Sequence, residues 1–315
     1  MDQEQMIHWI GSGLGDPALV GGKAAGLDRL VRAGASVPPA FCLTTAAFHR
    51  YLEAHGLVSM VGERTAALPE ESARADLAAL IHMFPIPADL SEILHENVKT
   101  LRSRSPSSRQ LAVRSSAVGE DALRASFAGQ HESLLGVPSA EVEPALRACW
   151  ASLWSPRAVT YRLQRGLGFE GMAMAVVVQA MVHADLSALV FTVNPVTGRE
   201  DEMVVNASWG LGEGMLSGAI TPDTFVLDKD TLQVRLAVAG EQPVFLVARE
   251  AGGTENVPSP GPTPALTEGA LRTLGVLCRD LEAAFGMPLD LEAAMADGRW
   301  FFLQARPVTT RERPK

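Results

Sequence analysis

The predominant apolar period of this chain changes from helical to strand-like close to Met172. Before that point apolar residues recur every three or four positions, which is the spacing of one helix face. After it they alternate or run together, as they do in strands. The first part is therefore predicted to be mainly helical and the second rich in strands. A length of 315 residues is enough for one large domain or two of ordinary size.

Cap and turn residues place the predicted elements along the chain. Predicted helices run through Leu27–Val31 to a stop at Gly34, from Thr44 or Thr45 to Gly56, over Ser72–Met83 and Asp89–Arg102, from a Ser139 cap through Leu153, from Ser155-Pro156 to Gly166, and from Thr267 to Gly286. Predicted strands cover Leu111–Ser116, Ala173–Val182, Ser187–Val193, Glu202–Ala207, Asp223–Asp228 and Leu232–Ala239, followed by a surface crossing at Pro258–Pro264 and a final hairpin around Asp297-Gly298.

Composition excludes several classes of function. The net charge of −9 argues against a nucleic-acid surface, because binding a phosphate backbone needs clustered Lys and Arg. The longest apolar stretch, Ala173–Val182, is about half the roughly 20 residues of a membrane-spanning helix, so no membrane segment is expected. The three cysteines lack metal-ligand spacing and are predicted to be free thiols, and Met1–Gln5 lack a leader pattern. We therefore expect a cytoplasmic protein.

A lysine among small residues, Gly21-Gly22-Lys23, lies near the start of the first predicted helix. Small residues let a polyphosphate approach the backbone, and the N–H groups at a helix start favour anions. The motif is not a P-loop, since Pro17 and Ala24 stand where that motif needs Gly and Ser or Thr. Lys23 is therefore either a phosphate ligand or a solvated lysine at a helix start.

A second candidate cation, Arg114, follows three apolar strand residues and precedes two serines. A guanidinium in this position can clamp a phosphate with two hydrogen bonds, or it can form an ion pair with Glu120 or Asp121. The nearby stretch Ser126-Phe127-Ala128-Gly129-Gln130 can fold over phosphates as a lid, or it can be a plain hairpin loop. His131 adjoins this stretch and is the one histidine that merits a test.

The final hairpin gathers a polar set only if its two strands pair in the right register, because side chains alternate between the faces of a sheet. With a two-residue Asp297-Gly298 turn, Glu292 would face Leu303 rather than Gln304. With a three-residue loop, Ala296–Gly298, one face carries Asp290, Glu292, Gln304 and Arg306. That face would offer oxygen ligands to Mg²⁺ and a cation to its polyphosphate. The alternative is a solvated face of an edge hairpin.

A series of motifs spread over essentially the whole chain resembles the amino-terminal ATP-binding domain of the phosphoenolpyruvate synthase and pyruvate phosphate dikinase group, which includes the rifampin phosphotransferases. The motifs are Gly21-Gly22-Lys23 with Val37–Phe41, Val113–Ala117 with Glu120-Asp121 and Ser126–Gln130, Val178–Val182, Phe191–Gly198, Ala207–Glu213, and Gln304–Val308. Each motif alone is a weak signal, but their shared order is highly specific.

The resemblance implies an α/β (α+β) fold of the ATP-grasp type, with two subdomains at residues 1–184 and 185–315 and ATP held between them. It also implies ATP and Mg²⁺ as cofactors. The implied site places Lys23, Arg114 and Arg306 on the phosphates as catalytic residues, Glu292 and Gln304 on magnesium with Asp290 beside them, Gln179, Ala180 and Met181 along the adenine, and Ser126, Ala128, Gly129 and Gln130 over the phosphates.

The resemblance further implies a phosphotransferase component that cleaves Mg-ATP and passes phosphate to a histidine on a separate domain or subunit. None of the seven histidines of this chain lies in the Gly/Thr/Ser-rich context expected of the carrier. The final acceptor would be a small molecule of unknown identity. A second hypothesis is a stand-alone ATP-grasp ligase or small-molecule kinase that uses its acceptor directly. A third is a nucleotide-binding regulatory module without turnover.

Overall fold

The computed structural model describes residues 5–66, 71–118, 133–164, 166, 172–260 and 265–308. The chain forms two compact units. Unit 1 comprises Met1–Asp28, Pro39–Met181 and Ala251–Gly253, and unit 2 comprises Arg29–Pro38, Val182–Glu250 and Thr254–Lys315. Within the described ranges, no single helix is long and apolar enough to cross a membrane. The segments Ala75–Met83 and Ala88–Arg104 meet that criterion only as a pair, and the pair is bent by 78°.

Helices and strands alternate irregularly along the chain. In order they are β1 (Ile7–Trp9), α1 (Pro17–Arg32), β2 (Ala40–Leu43), α2 (Thr45–Ala54), α3 (Val58–Ala66), α4 (Glu71–Met83), α5 (Ala88–Arg104), β3 (Gln110–Ala117), β4 (Ser133–Pro138), α6 (Val142–Ala151), α7 (Pro156–Gln164), β5 (Met174–Ala180), β6 (Leu186–Phe191), β7 (Glu202–Trp209), α8 (Glu213–Leu216), β8 (Asp223–Asp228), β9 (Val234–Val238), β10 (Val244–Ala248), β11 (Thr254–Pro258), α9 (Glu268–Phe285), β12 (Leu289–Ala296) and β13 (Arg299–Pro307).

Unit 1 is built on a five-stranded antiparallel sheet in the order β1-β2-β5-β3-β4. One face of its central strands is apolar and belongs to the main core, in which Trp150 packs against Phe48 and Tyr51. Because strand residues alternate between faces, Val113 on β3 lies on the core face and Arg114 on the opposite one. The same strand therefore stabilises the unit with one face and presents polar groups on the other.

Unit 2 contains a six-stranded antiparallel sheet in the order β13-β12-β6-β7-β8-β9, and β10 pairs with β11 as a separate hairpin. Helix α9 covers one face of the large sheet, since a Cβ at Gly275 would lie 3.5 Å from a side-chain carbon of Leu227. Leu291 lies on this apolar face with its β6 partner Val190 and with Val205, the partner of Val190 on β7. The residues that alternate with them, Asp290 and Glu292 among them, lie on the opposite face.

The predicted mixture of helices and sheet is confirmed, and β8 and α9 have the predicted bounds. Thr267 caps α9 by accepting from the N–H of Ala270, and Gly286 closes the helix in the left-handed conformation. The Ser155 cap is also confirmed, because its hydroxyl accepts from the N–H of Ala158. All three cysteines are buried and free, and burial raises the pKa of the Cys42 and Cys278 thiols, which keeps them protonated.

One element prediction is wrong. The helix after Ser139 begins at Val142, because a 3₁₀ turn occupies Ser139–Glu141, and the Ser139 hydroxyl has no hydrogen-bond partner among the described residues. Helix α1 extends upstream to Pro17, but it is broken at Gly21, so Lys23 lies near the start of its second part, as predicted. Several short elements were not predicted: β1, β2, α3, β4, α8 and the β10–β11 hairpin. Of the predicted surface crossing at Pro258–Pro264, residues 261–264 lie outside the described part.

An arginine ties the edge strand β9 to its neighbours. Arg235 Nη1 donates to Asp201 Oδ2 at 2.9 Å and to Glu202 Oε1 at 3.0 Å, and its Nη2 donates to Asp228 Oδ2. Hydrogen bonds from Arg199 and Arg235 hold the pKa of the Asp201 carboxyl below its ordinary value. Hydrogen bonds from Thr231 and then from Arg235 lower the pKa of Asp228 to about 2. These carboxyls favour the folded chain only while they are charged.

We expect unit 2 to lose stability on acidification between about pH 4, where an aspartate in an unfolded chain becomes protonated, and about pH 2, where Asp228 does so in the folded chain. In that interval the unfolded chain binds more protons than the folded one, so stability falls as the pH falls. Replacing Arg235 with Met should make this loss shallower, because it raises the pKa of both carboxyls in the folded chain.

Urea unfolding followed by circular dichroism at both ends of the interval checks this expectation. Arg32→Met is the matched control, because Arg32 is also an arginine but lies exposed at the end of α1. An Arg235→Met variant with the same acid-induced loss of stability as the control would show that the Arg235 contacts do not hold down these pKa values.

Candidate functional site

In unit 1 the predicted phosphate ligands Lys23 and Arg114 lie on α1 and β3, and both are buried, at 9% and 8% exposure. Gln179 on β5 is also buried and lies directly opposite Ala112, while Arg114 lies opposite Val177. Arg114 and Gln179 therefore occupy the same face of the sheet, away from the main core. Cations are rarely buried to this extent unless they are paired or serve a site.

Ala180 and Met181, the other two residues predicted to lie along the adenine, are at the end of β5. The side chain of Ala180 lies in the main core, so a nucleotide beside it would meet its backbone alone. Met181 follows the end of β5 and is buried; its N–H donates to the Gln110 carbonyl at 3.1 Å, and its carbonyl accepts from the Ser108 hydroxyl at 2.9 Å. These contacts fix the path of the chain at the end of β5.

In unit 2 the final hairpin reaches the predicted register by a route that the sequence did not indicate. Its turn has two residues, Asp297 and Gly298, with φ of 50° and 71°, as a type I′ turn requires. The register that this turn sets continues as far as the Ala293–Phe302 pair. A β-bulge then adds Leu303 to the second strand, and beyond it the partners are Glu292 with Gln304 and Asp290 with Arg306.

Of the two loops considered, the structure has the two-residue turn, and it nevertheless has the polar face that the sequence made conditional on a three-residue loop. One extra residue in the second strand, rather than in the turn, shifts the pairing by one position. The residues brought onto this face are Asp290, Glu292, Gln304 and Arg306.

Asp290 and Arg306 form a charged pair at the end of this face. Arg306 Nε and Nη2 lie 2.7 and 2.6 Å from Asp290 Oδ2, while the buried Oδ1 of Asp290 has no hydrogen-bond partner within the described residues. Burial raises the pKa of the Asp290 carboxyl above its ordinary value; Arg306 opposes this rise and Glu292 adds to it. A further cation at this face would favour the charged carboxylate.

The structure adds two polar residues that the sequence reasoning missed. Asn206 on β7 and Thr224 on β8 are paired, and they lie in the same cross-strand row as Glu292, with Leu189 between. The Thr224 hydroxyl donates to Asn206 Oδ1 at 2.9 Å. The order of the strands joins both residues to the row of Glu292, and no local sequence pattern reports that order.

The donor set on this face suits a magnesium ion that shares its ligands with a substrate. Magnesium takes oxygen ligands and commonly binds through one or two carboxylates together with phosphate oxygens. Glu292 and Gln304 offer a carboxylate and an amide oxygen side by side, and Asp290 adds a buried oxygen without a hydrogen bond among the described residues. In the part of the chain that is described, no group of three or more His, Cys, Asp or Glu residues could hold a metal by itself.

Parts of the predicted site cannot be placed. The lid residues Ser126, Ala128, Gly129 and Gln130, together with His131, lie outside the described residues. A surface cavity of about 310 Å³ along α7 is lined by Pro156, Arg157, Thr160, Tyr161 and Gln164. No predicted site residue is among these.

Comparison with known proteins decides the family. The model of the family described as "Pyruvate phosphate dikinase, AMP/ATP-binding domain" matches residues 17–315. The chain belongs to this family. The predicted resemblance is confirmed, and the nucleotide-binding character of the domain follows from the family itself.

Three relatives show the breadth of this family. A probable phosphoenolpyruvate synthase from Methanocaldococcus jannaschii is 34% identical over 100% of this chain and 27% of the relative. The prodigiosin synthesizing transferase PigC from Serratia marcescens is 36% identical over 100% and 34%. A rifampicin phosphotransferase from Streptomyces sviceus is 37% identical over 93% and 34%. The chain thus spans well under half of the length of these family members.

Among solved structures, a D-alanine–D-alanine ligase from Helicobacter pylori is similar, with a TM-score of 0.35 and 10% identity over 92% of this chain and 55% of that one. A similarity at that score carries no argument about this domain.

A residue inserted into β13 tests whether the register creates the polar face of this family member. An alanine inserted between Leu303 and Gln304 would place Gln304 opposite Leu291, on the other face, because a one-residue shift exchanges the faces. We expect a folded variant without detectable ATP binding, measured by equilibrium dialysis with labelled ATP and checked by circular dichroism. Deleting Leu303 is the control, because it removes the bulge but leaves Gln304 opposite Glu292, and this variant should bind ATP. Equal ATP binding by both variants would contradict this role of the register.

Proposed function

We propose that this chain is the ATP-binding component of a phosphotransferase with the ATP-grasp fold, and that it passes phosphate from Mg-ATP to a histidine on a separate domain or subunit. The observation that carries this proposal is the polar face of the final hairpin in a member of an AMP/ATP-binding family. We further propose that residues 1–184 and 185–315 form its two subdomains. A cytoplasmic location is supported by the three free, buried cysteines.

The cations are proposed to neutralise the polyphosphate. Lys23 and Arg114 in unit 1 and Arg306 in unit 2 would contact phosphate oxygens. A phosphoryl group needs little covalent help from the protein, so accurate placement of positive charge supplies most of the catalysis. The buried Asp290 would hold the guanidinium of Arg306 in place through its Oδ2. Ser126, Ala128, Gly129 and Gln130 are proposed to cover the phosphates, as the resemblance implies.

Glu292 and Gln304 are proposed to hold magnesium, with Asp290 close by. When bound, the ion would neutralise charge on the phosphates and orient them. Its protein ligands are adjacent partners on β12 and β13, so the sheet itself fixes their spacing. Gln179, Ala180 and Met181 are proposed to lie along the adenine, with the amide of Gln179 as the polar side chain of that set.

The phosphoryl acceptor is proposed to be a histidine because the relatives include a phosphoenolpyruvate synthase and a rifampicin phosphotransferase and extend well beyond the region shared with this chain. The final small-molecule acceptor would then react with the carrier rather than with this domain. A direct transfer to a small acceptor would instead make this chain a kinase or ligase in its own right.

Measuring ATP affinity and reaction products together tests the proposal. Replacing Glu292 with Gln removes a charged metal ligand and should weaken Mg-ATP binding on the order of ten- to a hundredfold, as loss of a metal-site group commonly does. Glu268→Gln is the matched control, since Glu268 lies exposed in the first turn of α9. Calorimetric titration with Mg-ATP gives both affinities.

Products are then measured with and without the histidine-bearing domain of a phosphoenolpyruvate synthase. We expect AMP, phosphohistidine and, from the second phosphoryl group and one water, inorganic phosphate, all formed only when that domain is present. Rapid formation of ADP by the chain alone would contradict a carrier-dependent transfer. Unchanged Mg-ATP affinity in Glu292→Gln would contradict the proposed metal site.

A further inference from the structure

Helix α1 is broken just before Lys23. Gly21 has φ 72° and ψ 175°, far outside the helical region, although helix lies on both sides of it. In a regular helix the N–H of Ala24 would donate to the carbonyl of Val20. Here the hydroxyl of Ser116 contacts both groups: Ala24 N donates to Ser116 Oγ at 3.2 Å, and Ser116 Oγ donates to the Val20 carbonyl at 2.7 Å. A side chain inserted at such a pair is a recognised cause of a helix kink.

We propose that Ser116 is a positioning residue for Lys23, because its hydroxyl holds the kink of α1 and thereby fixes Lys23 against the strand that carries Arg114. This inference rests on the proposed ATP-binding function. It assigns a role to the second serine of the Arg114-Ser115-Ser116 motif, which the functional proposal leaves without one.

The geometry links the two buried cations of unit 1 through one side chain. Ser116 is two residues from Arg114 on β3, so both side chains lie on the same face of the sheet. Ser116 is fully buried, and its hydrogen-bond donor, Ala24, directly follows Lys23. Any movement of α1 along β3 would stretch these two bonds and displace the Lys23 ammonium relative to the Arg114 guanidinium.

Side chains from other elements donate hydrogen bonds to the carbonyls that precede the break in α1. The carbonyl of Ala18 accepts from the Thr45 hydroxyl at 3.3 Å, and the carbonyl of Val20 also accepts from the Cys42 thiol at 3.5 Å. Carbonyls in the turn before the break thus receive donors from three different elements, β2, α2 and β3. This arrangement is the one expected of a kink that the fold maintains, because buried carbonyls are costly to leave unpaired.

Gly21 makes the close contact with Ser116 possible. A Cβ at Gly21 would lie 2.1 Å from the Ser116 carbonyl oxygen and 2.5 Å from Ser116 Oγ, distances that no side chain can occupy. Its positive φ also disfavours any residue with a side chain. Gly21 of the lysine motif and Ser116 of the arginine motif are therefore in direct contact, and this contact requires glycine at position 21.

A double-mutant cycle separates positioning from general stabilisation. Removing the Ser116 hydroxyl should weaken ATP binding on the order of ten- to a hundredfold, as small displacements of a binding group do. If the hydroxyl acts through Lys23, the Ser116→Ala, Lys23→Ala double variant should bind ATP no more weakly than Lys23→Ala alone. Ser115→Ala is the matched control, because Ser115 is equally buried but lies on the other face of β3.

Calorimetry gives the dissociation constant for Mg-ATP of the wild type, of the three single variants, and of Lys23→Ala combined with Ser116→Ala or with Ser115→Ala. The thermal unfolding temperature of each variant is measured as well. We expect Ser115→Ala to bind ATP like the wild type. We expect the Ser115→Ala, Lys23→Ala double variant to bind ATP like Lys23→Ala. If Ser116→Ala does not fold, Ser116→Cys, which keeps a weaker donor, replaces it and should show a smaller loss that Lys23→Ala also absorbs.

Failure of the Ser116 role and failure of the proposed ATP-binding function give different results. Wild-type affinity in a folded Ser116 variant, or losses that simply add to those of Lys23→Ala, would overturn the positioning role while leaving ATP binding intact. A wild-type chain that does not bind Mg-ATP would overturn the proposed function, and this inference with it.

Discussion

The β-bulge at Leu303 determines which side chains meet on the polar face of unit 2. The turn at Asp297-Gly298 contains only two residues, and both adopt positive φ. It therefore sets the register in which Ala296 pairs with Arg299 and Ala293 with Phe302. Continued to the end of the hairpin, that register would place Gln304 and Arg306 among the apolar residues under α9. The bulge moves them by one position, onto the face that carries Asp290 and Glu292. Both the proposed metal site and the Asp290–Arg306 pair depend on this shift.

In unit 1 the two faces of strand β3 have different roles. Leu111, Val113 and Ala117 of β3 belong to the apolar core, whereas Arg114 and Ser116 lie on the other face of the strand. The kink of α1 at Gly21 brings the backbone beside Lys23 within hydrogen-bond reach of Ser116. In each unit, therefore, a local departure from regular structure places a charged group: a bulge in unit 2 and a broken helix in unit 1.

The sequence predicted the long elements and the family because both leave local signals. Helix α9 has a threonine cap, a left-handed glycine and an apolar stripe, and all three residue patterns are evident in the sequence. The polar face was predicted correctly, but its cause was assigned to the turn, because a bulge inside a strand of apolar residues has no distinctive composition. Leu303 could not be told from its neighbours without the pairing partners on β12.

Contacts between distant segments were the hardest to predict. The Ser116 hydroxyl bonds to residues 92 and 96 positions away, and no local pattern reports such a contact. The same holds for Asn206 and Thr224, which join the row of Glu292 only through the order of the strands. Short buried strands such as β2 were also missed, since four residues are too few to show a period.

The central claim is that Glu292 and Gln304 hold the metal of a bound metal–ATP complex. A crystal structure of the chain with Mn²⁺ and a non-hydrolysable ATP analogue tests it most directly, because Mn²⁺ scatters anomalously and accepts the same oxygen ligands as Mg²⁺. We predict an anomalous peak bonded to a Glu292 carboxylate oxygen, to the Gln304 amide oxygen and to phosphate oxygens, at about 2.1 Å. A bound nucleotide whose metal lies away from both side chains would contradict the claim.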